Sequence, residues 1–151
     1  MRESVSTDMR RYNYLLGETS AVYHEMALKF GLSDSAMNIL YAICDQGDQC
    51  ALQDICRWSG LSKQTVNSAI RKMEAEGIVY LKSADSRNKN VCLTEKGADL
   101  AERTARRILR AENEILASWT EEDVKKYLEL TERFLTEIRK KAKQMKAGDM
   151  T

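Results

Sequence analysis

The spacing of apolar residues predicts that most of this chain is helical. Apolar positions recur at steps of three and four over residues 7–30, over a second segment that starts at Ser33 or Asp34, and over residues 95–119. Thr120 then begins a last helix, with three acids in its first turn and a basic run at its end. Proline is absent, so the commonest breaker of long helices is missing.

The middle of the chain has a different pattern. A short helix-like segment over residues 52–58 leads through a tight turn to a second helix. Ser62 is predicted to cap that helix, because its hydroxyl can accept from an N–H of the first turn, and Gly77 to end it. Two strand-like runs follow, Ile78 to Lys82 and Asn90 to Thr94, with a polar tip between them. Helix, turn, helix and two-stranded wing is the plan of a winged helix-turn-helix DNA-binding domain.

The predicted fold class is therefore mainly α with a small β-wing, a winged helix-turn-helix with long N- and C-terminal dimerisation helices. Residues 33–97 form the winged domain, and residues 1–32 and 98–151 form a helical arm. A small winged domain cannot bury three long amphipathic helices by itself, but a second copy of the chain can. We therefore expect a homodimer that places two recognition helices about 34–36 Å apart on DNA.

The helix that begins after Ser62 has one apolar and one polar face. Its polar face is rich in amides, hydroxyls and cations, which suit phosphate oxygens and the edges of bases in the major groove. The candidate DNA-binding residues of this helix are Ser62, Lys63, Gln64, Thr65, Asn67, Ser68, Arg71 and Lys72. The alternative is an ordinary solvated helix face that binds nothing.

The distribution of charge supports the DNA-binding interpretation. The whole chain has a net charge of only +1, but residues 57–97 have a net charge of +4 and residues 1–56 a net charge of −4. The positive excess therefore lies on the helix-turn-helix and the wing. The basic run over residues 139–143 is a second candidate patch for DNA. Its alternative is a solvated helix end that complements the helix dipole.

Metal and redox chemistry have little support in the sequence. The four cysteines form no C-x-x-C pair, and His24, the one histidine, has no carboxylate or cysteine arranged around it, so no metal or other cofactor is expected. Cys44 and Cys56 lie among apolar residues and are predicted to be in the core. Cys50 follows a polar run and is expected at the surface, where redox sensing is an open alternative.

Catalysis and membrane insertion are not indicated either. The sequence shows no paired nucleophile and base and no glycine-rich phosphate loop, so we do not expect an enzyme. It has no run of about 18 apolar residues and no apolar signal-peptide core at its N-terminus. The expected compartment is the cytoplasm.

Four ordered segments resemble the MarR family of bacterial transcription regulators. They are Gly60-Leu61-Ser62-Lys63-Gln64-Thr65-Val66, Met73-Glu74-Ala75-Glu76-Gly77-Ile78-Val79, Asp85-Ser86-Arg87-Asn88-Lys89 and Leu93-Thr94-Glu95-Lys96-Gly97. The D-x-R sequence of the wing tip, placed just before L-T-x-x-G, is the most specific of them. The resemblance implies a homodimer that binds double-stranded DNA at a pseudo-palindromic operator, usually as a repressor.

The resemblance also assigns roles to individual residues. It places Arg87 in the minor groove, makes Asp85 the wing acid that orients it, and adds Asn88 and Lys89 to the DNA-binding residues. It further implies a small aromatic effector in a cleft between the arm and the winged domain. The aromatic residues that offer loose support for such a cleft are Tyr12, Tyr14, Tyr23, Tyr41 and Trp58, each of which is also explained by packing. The thiol-sensing branch of the family has its cysteine in the first helix, where this chain has none.

A different class of function is a winged-helix module that binds another protein instead of DNA. The Lys63–Lys72 face would then contact the partner. That face has few apolar anchors, whereas the residues that dominate protein interfaces are mostly tryptophan, tyrosine and arginine in pockets.

Overall fold

The structure is a computed structural model that describes residues 3–85 and 87–145. In chain order its elements are α1 (Glu3–Lys29), α2 (Asp34–Asp45), β1 (Gln49–Ala51), α3 (Leu52–Ser59), α4 (Lys63–Ala75), β2 (Val79–Ser83), β3 (Lys89–Leu93), α5 (Glu95–Arg103), α6 (Ala105–Ser118) and α7 (Glu121–Gln144). The prediction of a mainly helical chain with a small β-wing is confirmed. The chain divides into two compact units, Met1–Leu109 and Arg110–Thr151.

Four helices begin at a hydroxyl side chain that accepts a hydrogen bond from the first turn. The Oγ atoms of Ser33 and Ser62 accept from backbone N–H groups three residues on, each at 3.1 Å. Thr94 and Thr120 do the same at 2.9 and 3.1 Å. Each cap satisfies an N–H that has no partner within its own helix, which is why the sequence predicts these starts correctly.

The wing is an antiparallel sheet in the strand order β1-β3-β2. Gly77 has a φ of +73°, and the N–H of Ile78 donates to the carbonyl of Met73 at 2.9 Å, which ends α4 as predicted and turns the chain into β2. Both wing strands begin and end within one residue of the predicted runs. In the centre of the sheet, Val91 pairs with Leu81 on one side and Cys50 on the other.

The core of the first unit lies between the helices and the sheet. Its largest fully buried side chains come from α2, α3, α4 and β3, and they are Ile39, Leu40, Ile43, Ile55, Val66 and Val91. The apolar side of the recognition helix α4 belongs to this core, since Val66, Ile70 and Met73 are buried. Burial of that side holds the helix in place and leaves its polar side at the surface.

The helix predicted over residues 95–119 is two helices. The chain breaks at Thr104, where φ is −129° and ψ is −90°. The Thr104 hydroxyl is buried and donates to the carbonyl of Leu100 at 2.7 Å, and a hydroxyl that bonds to the preceding turn competes with the regular helix. The apolar spacing continues across the break, so periodicity alone could not reveal it.

The second unit consists of the C-terminal part of α6 and helix α7. The indole ring of Trp119 packs edge-on against the ring of Tyr127, with centroids 5.4 Å apart. None of the 24 residues of α7 is buried, although the helix has apolar residues at helical spacing. Its exposed large apolar residues are Tyr127, Leu128, Leu130, Phe134, Leu135 and Ile138.

Two expectations drawn from local sequence are wrong. His24 does have a carboxylate beside it, because Asp34 at the start of α2 lies 2.8 Å from its Nδ1 atom. Cys50 is not at the surface, because its strand pairs with β3 and buries it. Burial, followed by the nearby charges of Asp54 and Asp45, raises the pKa of the Cys50 thiol to about 11, which disfavours the reactive thiolate. Among the described residues, no helix is both long and apolar enough to cross a membrane.

Candidate nucleic-acid interface

Helix α4 exposes the polar face that the sequence predicts. Seven of the eight candidate residues on and before this helix are exposed: Ser62, Lys63, Gln64, Thr65, Ser68, Arg71 and Lys72. Asn67 is half-buried. The exposed Ser62 hydroxyl caps the helix and also donates to Thr65 Oγ1 at 2.8 Å, so it shapes the first turn in addition to any contact with DNA.

The tip of the wing is organised by a carboxylate. Asp85 Oδ1 accepts hydrogen bonds from the backbone N–H groups of Arg87 at 2.8 Å and Asn88 at 2.9 Å, while Oδ2 accepts from Asn88 Nδ2 at 3.1 Å. These three hydrogen bonds hold the pKa of Asp85 below its usual value. Asp85 therefore shapes the backbone of the turn from which the exposed Arg87 side chain projects.

Acid is expected to loosen this turn. The folded pKa of Asp85 lies below the ordinary value of 3.8, so the three hydrogen bonds persist above that pH and are lost as the pH falls through the lowered pKa. In a titration followed by NMR, the amide signals of Arg87 and Asn88 should shift together with a midpoint below 3.8. In the Asp85→Ala variant the same signals should lack this transition. A midpoint at or above the ordinary value would contradict the geometry.

A groove joins the start of α4 to the wing tip. It has a volume of about 460 Å³ and is lined by Ala51, Leu52, Gln53, Cys56, Lys63, Arg87, Asn88 and Lys89. Three cations and no acidic side chain line it, so it favours an anion such as a phosphate backbone. The fold thus brings Lys63 next to three wing residues that are more than twenty positions away in the sequence.

Three further candidates, Asn67, Arg71 and Lys72, line other depressions of the surface. Asn67, Arg71 and Lys89 line a neighbouring depression of about 230 Å³. Lys72 lies on the opposite flank of α4, where it lines a cavity of about 120 Å³ together with residues of α2 and α5. Gln53 is a groove residue that the sequence does not predict, because its position in α3 has no local signal for binding.

The L-T-x-x-G segment holds the C-terminal end of the recognition helix. Thr94 Oγ1 donates to the carbonyl of Gly77 at 2.6 Å, and Lys96 Nζ donates to the carbonyl of Glu76 at 2.8 Å. Gly97 packs so closely that a Cβ atom would lie 1.9 Å from the carbonyl oxygen of Ile78. These contacts fix α4 to the start of α5, and the sequence predicted only the cap by Thr94.

The fold and this surface define a winged helix-turn-helix protein. Residues 30–87 match the family model described as the MarR family. Over 113 residues, 74% of this chain and 82% of the relative, the chain is 28% identical to the uncharacterised HTH-type transcriptional regulator YwoH of Bacillus subtilis. The resemblance to the MarR family is therefore confirmed, and the chain has a MarR-family winged helix domain.

Solved structures agree on the fold. The chain is similar to AbsC, a MarR family transcriptional regulator from Streptomyces coelicolor, with a TM-score of 0.74 at 17% identity, covering 92% of this chain and 97% of that one. It is also similar to MepR of S. aureus in a complex with DNA, with a TM-score of 0.64 at 20% identity, covering 85% and 96% of the two chains. At these identities the similarity describes the fold.

Proposed function

We propose that this protein is a cytoplasmic, homodimeric transcription regulator, and not an enzyme, that binds a pseudo-palindromic DNA operator and acts as a repressor. The observation that carries the proposal is the acid-free groove in which Lys63, Arg87 and Lys89 converge beside the exposed face of α4. A duplex presents a continuous line of phosphates next to base edges, which suits a cationic groove beside a helix rich in amides and hydroxyls. MepR, whose fold is similar, is known in a complex with DNA.

In this proposal α4 enters the major groove and the wing tip reaches the adjacent minor groove. Gln64, Ser68 and Arg71 would contact base edges, because their side chains are exposed on the outward side of the helix. Arg87 would be inserted in the minor groove, where a narrow width concentrates negative potential. Lys63 and Lys89 would contact phosphates from the groove between these two elements.

Dimerisation would involve residues 1–32 and 98–151. In the first unit, α1 exposes large apolar side chains, among them Leu15, Leu16 and Val22. In the second unit, α7 has an apolar stripe and no buried residue. Apolar surfaces of this extent are unfavourable in water, which favours their burial against a second copy of the chain.

A small aromatic effector remains a further part of the proposal. The cavity between α2, α4, α5 and the turn that precedes α2 measures about 120 Å³, well below the roughly 300–1,000 Å³ of typical ligand sites. An effector bound there would therefore have to separate these helices, which would move α4. None of the five aromatic residues named above lines this cavity, and both Tyr14 and Trp58 are more than 60% exposed.

Substitution of two wing cations is expected to distinguish reading of the minor groove from general attraction to phosphate. Arg87→Ala should weaken operator binding by about 1–3 kcal/mol, because a groove contact is lost, and should relax the sequence preference beneath the wing. Lys89→Ala should weaken binding to all duplexes and lower the slope of log affinity against log salt by about one unit. Binding can be measured by fluorescence anisotropy on DNA selected from genomic fragments.

Arg139→Ala is the matched control, since it removes one charge from the basic run at the end of α7. Unchanged affinity in this variant would assign that run to a solvated helix end. Equal losses in Arg87→Ala and Arg139→Ala would mean that only bulk charge matters, and unchanged affinity in both wing variants would reject the interface. Absence of DNA binding by the wild-type protein would favour the alternative, a protein-interaction module.

A further inference from the structure

Asp48 has a left-handed backbone conformation, which few residue types other than glycine, asparagine and aspartate adopt. Its φ is +78°, and no other non-glycine residue among those that the structure describes has a positive φ. The backbone there is held firmly, because the Asp48 N–H donates to the carbonyl of Ile43 at 3.1 Å and its own carbonyl accepts from the N–H of Leu93 at 3.4 Å. A glycine would adopt this conformation without steric cost and an aspartate tolerates it, so the backbone permits a carboxylate at this position.

The Asp48 carboxylate accepts a hydrogen bond from Nη2 of Arg106 and forms an ion pair with it. Arg106 belongs to the first turn of α6, and its Nε atom lies 3.7 Å from a carboxylate oxygen of Glu102 on α5. The Arg106 side chain is 31% exposed and the Asp48 side chain is 65% exposed, so the pair lies at the surface and contributes orientation more than stability. The three side chains connect the turn between α2 and β1 to the end of α5 and the start of α6.

This cluster spans the break in the helix at Thr104. In a continuous helix the backbone hydrogen bonds fix the direction of each successive turn. At Thr104 the backbone departs from helical geometry, so this series of hydrogen bonds is interrupted. The direction of the following turn therefore depends on side-chain contacts. Arg106 supplies one, and Arg107 supplies another, since its guanidinium carbon lies 5.3 Å from the centre of the Phe30 ring at the end of α1.

We infer that Asp48, Glu102 and Arg106 are positioning residues that fix the direction in which α6 leaves the winged domain, and that they thereby set the half-site spacing that the dimer accepts on DNA. The inference rests on the proposed function, because it needs two recognition helices held by paired arms. The contact with Arg106 accounts for an aspartate at position 48, because a glycine there could not form it. The proposal assigns to these residues a part in DNA specificity without any contact with DNA.

The test uses palindromic duplexes built from a half-site selected with the wild-type protein, with the spacer changed by one and two base pairs. Each added base pair moves one half-site by about 3.4 Å and rotates it by about 34°. The wild-type protein should lose at least about tenfold in affinity for a change of one base pair, a loss in the range of a mismatched site. In Asp48→Asn and Arg106→Gln that loss should fall to about two- or threefold.

Asp48→Gly separates positioning from backbone strain. Glycine adopts the left-handed conformation without strain but cannot bind Arg106. The loss of affinity on a change of spacer should therefore be as small as in Asp48→Asn, while the thermal stability is kept or raised. The double variant Asp48→Asn/Arg106→Gln should tolerate a change of spacer no better than either single variant, because all three remove the same contact. Asp99→Asn removes the exposed Asp99–Arg103 ion pair of α5 and should keep the wild-type profile.

The outcomes separate this inference from the proposed function. If the wild-type protein discriminates between spacers and the Asp48 and Arg106 variants lose as much affinity as it does on a change of spacer, the positioning role is wrong and the proposed function stands. If those variants lose affinity equally at every spacing together with thermal stability, the cluster is merely structural. If the wild-type protein selects no DNA, both proposals are rejected.

Discussion

Gly97→Ala is expected to destabilise the winged domain by about 3 kcal/mol or more, at the upper end of the range for overpacked sites. The added methyl group would lie 1.9 Å from the carbonyl oxygen of Ile78, which is backbone and cannot rotate away. That carbonyl also accepts from the N–H of Thr94 at 3.1 Å, so relief of the clash would break the contact between α5 and the end of α4. The change can be measured by urea denaturation of the purified protein.

Gly17→Ala is the matched control for this substitution. Gly17 lies within α1 with nothing within 4 Å of the position that a Cβ atom would take, and its φ is not positive. Alanine should therefore stabilise the protein by roughly 0.5–1 kcal/mol through its higher helix propensity. If the two variants have similar stabilities, the close packing of Gly97 against Ile78 is not what the geometry indicates.

A charge placed in the apolar stripe of either arm helix is expected to dissociate the proposed homodimer. Leu16→Glu in α1 and Leu135→Glu in α7 should each raise the dimer dissociation constant by roughly 30- to 1,000-fold. Each would bury a carboxylate where the proposed interface packs a leucine, and central interface positions are typically worth about 2–4 kcal/mol. Operator affinity should fall with the dimer, since one recognition helix makes only half of the contacts. Sedimentation and anisotropy on the same samples measure both effects.

Thr136→Glu provides the control for these arm variants. Thr136 is next to Leu135 on α7 but lies among the charged residues Glu132, Arg133 and Glu137, so a carboxylate there remains in water. The dimer dissociation constant of the Thr136→Glu variant should stay close to that of the wild-type protein. A wild-type protein that is monomeric at micromolar concentration would reject the arms as an interface, and dimeric Leu16→Glu and Leu135→Glu variants would assign the interface to another surface.

Short-range features of this protein could be predicted from the chain without its structure. Ser62 and Thr94 cap their helices, and Gly77 ends α4, because each of these interactions involves groups within five residues of one another. The buried and exposed sides of α4 were predictable for the same reason, since helical spacing alone places Val66, Ile70 and Met73 on one side.

The candidate site was predicted in composition but not in arrangement. The polar face of α4 and the basic wing were recognisable as separate segments, and the resemblance linked them to DNA. The groove in which Lys63 meets Arg87 and Lys89 depends on how the sheet packs against α3, and it also includes Gln53, which has no local signal for binding. The resemblance makes Asp85 the acid that orients Arg87, and in the structure Asp85 accepts hydrogen bonds from the backbone N–H groups of Arg87 and Asn88.

Local sequence therefore decided which segments are helical or extended, where most of them begin and end, and which side of the recognition helix is apolar. Tertiary structure decided that Gly97 lies against Ile78, that Asp48 binds Arg106, and that Cys50 is buried by its pairing with β3. The reason is physical. Caps and amphipathic faces arise from interactions between near neighbours in the chain, whereas these three contacts join groups that are 19 to 58 residues apart and meet only when the whole domain has packed.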